Sequence, residues 1–176
     1  MNTKPAGKML LSIFFILGSI SGCGYHLQQG ANPAIPSWIK TVHVAPWENR
    51  TNELLLGVWI TDDLRQEFVR SGPLNLASPE EADVILEGEV ASVATSGLSY
   101  VRYDQAIERR ISAVCSVRLV DRKTGEILWE TADISRYEDF LVGRELMETE
   151  GLKDESLRKL SRTVAEIIHH RIAELF

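Results

Sequence analysis

The sequence predicts an α+β fold, a two-layer sandwich in which two amphipathic helices cover one face of a mixed, mostly antiparallel sheet of about four to five strands. Three observations carry this. Ile111, Ala113, Cys115, Val117 and Leu119 alternate with Arg110, Ser112, Ser116 and Arg118, the period-two pattern of a strand covered on one side only. Leu157, Leu160, Val164, Ile167, Ile168 and Ile172 recur at helical spacing near the C-terminus. A second helical run, Leu54, Leu55, Val58, Leu64 and Phe68, separates a short β-rich segment from the later strands.

In chain order, Ile39 to Ala45 is β-rich and closed by Pro46, which makes it the first strand. A loop, Trp47-Glu48-Asn49-Arg50, follows. Thr51 or Asn52 can cap the next helix by accepting a backbone N–H bond, and that helix spans roughly Glu53 to Arg70 before Ser71-Gly72-Pro73 ends it. Leu74 to Ala77 is a short strand, and Pro79-Glu80-Glu81 a turn. Val84, Leu86, Gly88 and Val90 then alternate with Ile85, Glu87, Glu89 and Ala91, again one buried face. Parity in the Ile111 strand points Arg109 inward, so that strand starts after Arg109 or carries a bulge there. Asp121 to Gly125 is a turn in which Gly125 supplies positive φ, with Ile127 to Ile134 returning as the hairpin partner. The last helix runs from about Lys153 to Leu175.

The N-terminus is a leader. Lys4 and Lys8 precede an apolar stretch from Met9 to Leu17, and the 12 residues from Met9 to Ile20 are too few to cross a bilayer, which takes about 20. The pattern is that of a secretory signal spanning residues 1–22. Its end, Ile20-Ser21-Gly22-Cys23, resembles the lipobox of bacterial lipoproteins, which implies cleavage before Cys23 and a diacylglycerol and N-acyl lipid on that residue, with no other cofactor. A thiolate is the nucleophile that such a transfer needs, and several chains anchor firmly where one does not. Gly24, rather than Asp, follows Cys23, and in lipoproteins similar to this one that directs the chain to the outer membrane. Residues 23–38, with Pro33 and Pro36 and no periodicity, read as a tether, leaving 39–176 as the folded domain.

Without the leader, 154 residues remain, enough for one core. The chain's 19 Lys and Arg lose the two leader lysines, so 17 basic residues face 25 acidic ones and the formal charge is −8. A nucleic-acid partner is excluded on bulk electrostatics. With Cys23 acylated, Cys115 has no partner for a disulfide and reads as a small buried hydrophobe. His26, His43, His169 and His170 lack zinc-motif spacing, Asp62-Asp63 reads as a solvated helix face, and no glycine-rich phosphate loop is present, so the sequence offers no catalytic constellation.

Four stretches resemble the lipopolysaccharide-assembly lipoproteins of the LptE family: Cys23-Gly24-Tyr25-His26-Leu27; Ile39 to Val44 leading to Glu48-Asn49-Arg50-Thr51; Ala82 to Val90; and Val117 to Glu130 with its Arg122-Lys123-Thr124-Gly125 turn. The resemblance implies a non-enzymatic outer-membrane subunit that plugs and helps assemble the LptD β-barrel. It also implies assistance in moving lipopolysaccharide into the outer leaflet. Lipid A phosphates call for Arg or Lys donors. The family's ligand-contacting basic position, matched by its spacing to Glu108-Arg109-Arg110-Ile111, falls on Arg102, flanked by Tyr100 and Tyr103; the alternative is a solvated hairpin. Lys153, at the expected helix start, is a second candidate, or else an exposed lysine. Arg110 and Arg118 share the polar face, where they either pair across strands with Glu87 and Glu89 or contact an anion. Arg109 stands where the family is often aromatic. The other functional reading is a different envelope lipoprotein of similar build, a peptidoglycan-synthase activator or a secretion-pore lipoprotein.

Overall fold

The structure, a computed structural model, describes residues 36–102 and 105–176, with side chains for 36–101 and 107–176. The expected leader, Cys23 and nearly all of the tether lie outside the described residues, as do Tyr103 and the side chain of Arg102. In order, the elements are β1 (Thr41–Val44), β2 (Glu48–Asn49), α1 (Leu56–Arg70), β3 (Asn75–Leu76), β4 (Val84–Arg102), β5 (Gln105–Asp121), β6 (Ile127–Leu141) and α2 (Leu146–Ala173).

Six strands form one mixed sheet in the order β3-β1-β4-β5-β6, with β2 also against β4. β1 runs parallel to both β3 and β4, and β2 parallel to β4, while β4, β5 and β6 form an antiparallel meander. Both helices pack on one face, α1 over β1 to β4 and α2 over β5 and β6, and they pack on each other. This is the α+β two-layer build that the patterning predicts. The sixth strand is β2, two residues inside the expected Trp47–Arg50 loop.

The core follows the strand parity. Val42, Val44, Val84, Leu86, Val90, Ile111, Ala113, Cys115, Val117 and Leu119 point to the helices and are buried. Removing apolar area of this kind from water is the dominant stabilising term, at about 25 cal/mol per Å². Gly88 shares that face because the Trp47 indole lies directly on it, in the space a Cβ would fill. Burial pushes the Cys115 thiol up to about 12, so Cys115 is the inert buried hydrophobe expected.

Two clasps order the ends of the strands. Asp83, at the entry to β4, accepts the N–H groups of Lys40 at 2.9 Å and Thr41 at 3.1 Å, and the Thr41 hydroxyl at 2.9 Å. These bonds, that of the Lys40 N–H first, hold its carboxyl below the usual range. In the β5–β6 turn, Asp121 Oδ1 accepts the N–H groups of Thr124 at 2.9 Å and Lys123 at 2.7 Å, while Gly125 takes φ 74°.

Several boundaries differ from expectation. α1 begins at Leu56, not near Glu53, because Asn49 and Thr51 organise a turn first: Asn49 Nδ2 donates to the Glu53 carbonyl, and Thr51 Oγ1 accepts the Glu53 N–H. Thr51 therefore caps that turn, and no side chain caps α1 itself. The buried stripe of α1 is Leu56, Gly57, Ile60, Thr61, Leu64 and Phe68, whereas Leu54, Leu55 and Val58 are exposed. α2 begins at Leu146, about two turns before Lys153. β4 and β6 run well past the expected Ala91 and Ile134. β5 continues through Arg109, which is exposed, and the irregularity sits opposite it on β4 between Gly97 and Ser99.

Candidate functional site

The uncovered face of the sheet carries most of the chemistry. Its side chains come from β4, β5 and β6 at positions that alternate with the core, so Glu87, Glu89, Arg110, Arg118 and Asp139 are each displaced by one from a buried residue. Beside β2 this face holds a groove of about 680 Å³ lined by Glu48, Arg50, Glu87, Glu89, Arg118 and Glu130. Glu87 and Arg118 stand directly opposite in the ladder and meet at 2.6 Å, the cross-strand pairing expected for Arg118. Glu89 is taken by Arg50 at 3.1 Å, which also lies 3.7 Å from Glu48.

Arg110 pairs elsewhere than with Glu87 or Glu89. Its register partner on β6 is Asp139, whose two oxygens accept from Arg110 Nε at 2.7 Å and Nη2 at 2.8 Å, and the guanidinium lies 3.7 Å over the Tyr137 ring. That hydrogen bond lowers the Asp139 carboxyl and raises Arg110. Lys153 sits inside α2 and pairs with Glu150 at 2.9 Å and Glu53 at 3.3 Å. The Glu150 contact first, and then Glu53, raise its ammonium. Arg102 is the last residue of β4, opposite Gln105 at the far end of the β4–β5 hairpin. The structure thus places Arg110 and Arg118 on one face, Lys153 on the helix layer and Arg102 at the hairpin end, and does not bring the four together.

Asp63 departs from its expected solvated position. It is buried between the helices, where both oxygens accept from the Arg158 guanidinium at 3.0 Å and the Ser161 hydroxyl also donates to it. Asp62 remains exposed beside Arg65. His43 and His169 hydrogen-bond the backbone carbonyls of Ala77 and Ser71, and His170 is exposed beside Glu174. Among the described residues no three His, Cys, Asp or Glu side chains group to hold a metal. No helix among them is long and apolar enough to cross a membrane.

Helices on one face and a charged, largely self-paired surface on the other define a small α+β domain, a fold it shares with one solved bacterial structure. It is similar to a candidate lipoprotein from Caulobacter crescentus CB15, with a TM-score of 0.53, 12% identity, and 76% of this chain and 88% of that one covered. The rare lipoprotein B from Shewanella oneidensis aligns with a TM-score of 0.49, 13% identity, and 75% and 94% covered. A minor lipoprotein from Acinetobacter baumannii aligns with a TM-score of 0.49, 12% identity, and 79% and 94% covered. No curated protein matches the chain by sequence. The model of the LptE lipopolysaccharide-assembly family matches residues 39–172, and the chain belongs to that family.

Proposed function

We propose that this chain is an outer-membrane lipoprotein, acylated on Cys23, that plugs and helps assemble an LptD-type β-barrel and assists lipopolysaccharide transport and insertion into the outer leaflet. The observation that carries the reading is the family match over residues 39–172, nearly the whole folded domain. The charged open face is consistent with it. A porin-type lumen is polar, and a sheet most of whose charges are already paired can enter such a lumen with few ions left unmatched.

The phosphate contacts are proposed at Arg102, with Lys153, Arg110 and Arg118 as further basic positions. Arg110, Arg118 and Lys153 each hold a carboxylate, which a phosphate would have to displace. Arg102 leads by its match to the family's ligand-contacting position. Nothing in the proposal involves turnover.

Detergent extraction of the full acylated chain from a Gram-negative envelope, followed by affinity purification, tests the reading. A stoichiometric β-barrel is the expected companion. Recovery of a peptidoglycan synthase or a secretion pore, with no such barrel, contradicts it.

A further inference from the structure

The two edges of the sheet are built differently. β4 is 19 residues long, and its outer side is paired only at its beginning, by β1 along Val84 to Leu86 and by β2 at Glu89 and Val90. From Ala91 to Val101 no strand covers that side among the described residues. The Arg50 N–H donates to the Val90 carbonyl at 3.1 Å, so the peptide groups of Val90 face this edge. The register with β5 then turns those of Val93, Thr95 and Gly97 to the same side.

These 11 residues contain no charge and no proline. Edge strands are ordinarily guarded against pairing by charge, proline or brevity. β6, the opposite edge, is guarded in that way, by Glu130, Asp133, Arg136, Glu138 and Asp139. On the helix side, Asn49, opposite Val90, donates to the Glu53 carbonyl at 2.8 Å, and the Leu54 and Leu55 that follow, exposed among the described residues, line a shallow pocket with Asp154 and Leu157 of α2.

We infer that this edge accepts an extended segment of the barrel partner, added as a further strand along Ser92 to Tyr100. The inference rests on the barrel reading above. Wall strands of a closed barrel have both edges paired, so the segment belongs to a loop or terminus outside the wall. Its chemistry is set by the edge: uncharged, with apolar residues at alternate positions toward the helix layer, the side on which Val93 packs, and polar residues toward the open face. A second copy fits less well. Because β1 runs parallel to β4, antiparallel self-pairing would put the two Pro36 ends at opposite ends of the joined sheet. Two chains anchored through Cys23 to one leaflet would then need the joined sheet to lie along the membrane.

The test is photo-crosslinking in the full chain co-purified with its barrel, with the reactive residue at Ser92, Ala94 or Ser96 and a control at Asp133 on β6. The three β4 sites should link to one stretch of the barrel protein at residues spaced by two, and Asp133 should not. Thr95→Pro removes an outward N–H and Ala94→Lys adds a guarding charge. Each should lower the Ser96 crosslink about tenfold with the circular dichroism of the chain unchanged. Links to a second copy, links without the two-residue spacing, or yields indifferent to both substitutions overturn the inference. Links to the barrel from the helices alone overturn it while leaving the barrel reading intact. Failure to recover any barrel overturns both.

Discussion

Arg110, Arg118 and Lys153 are each already bound to a carboxylate, and the residue to substitute first is Arg102, the position matched to the family's ligand contact. Arg102→Glu is expected to weaken binding of purified lipopolysaccharide by the full chain about tenfold or more, since one charge-assisted contact is worth about 1.5–3 kcal/mol. Its circular dichroism should be unchanged, and unaltered binding would clear the residue of the role. Asp83 gives a pH prediction. Its folded pKa lies below the ordinary value of 3.8, chiefly through the Lys40 N–H, so its stabilisation is complete above that value and is lost as pH falls through the lower folded one. The urea midpoint should therefore decline on acidification below the ordinary carboxylate pKa, and more shallowly in Asp83→Asn. Identical slopes for the two proteins would contradict the clasp. The Arg118–Glu87 pair was legible from strand alternation alone. The Arg110–Asp139 pair was not, because the alternation that predicts β6 fades after Ile134, where exposed charges and aromatics take over the edge.

Elements were legible where one face is buried and the other wet. β5 shows the period of two that its burial confirms, and α2 shows its stripe from Leu157 to Ile172. The second half of β4 was illegible for the same reason that makes it unusual: after Val93, which still packs on the core, the strand is largely exposed to Val101, so little core imposes a pattern on it. α1 misled at its start, since Leu54, Leu55 and Val58 mimic a stripe while facing solvent. The clamp between the helices was hidden too, because Arg158 lies 95 residues from Asp63. Both helices depend on it. Asp63→Ala strands the Arg158 guanidinium, only 31% exposed and 5.6 Å from the Trp59 ring, and should cost about 3 kcal/mol. Val58→Ala, on the exposed side of α1, should cost less than about 0.5 kcal/mol. Urea unfolding that shows equal losses would contradict the buried clamp.

At the scale of the whole molecule, two helices spend their apolar stripes on one face of the sheet, and the other face keeps its charges largely matched. One edge of the sheet is guarded by charge, and the other, from Ala91 to Val101, is uncharged and uncovered among the described residues. What the domain does is carried by its membership of a lipopolysaccharide-assembly family and not by this build alone. The family resemblance was legible because strand-bordering stretches such as Val117 to Glu130 combine a turn with alternation, and the family match spans those stretches. The most direct measurement is depletion of this chain in its own cells, with newly made lipopolysaccharide followed to the cell surface. The account predicts that lipopolysaccharide stops reaching the outer leaflet and that re-expression of the full chain restores its arrival; unchanged delivery after complete depletion would contradict it.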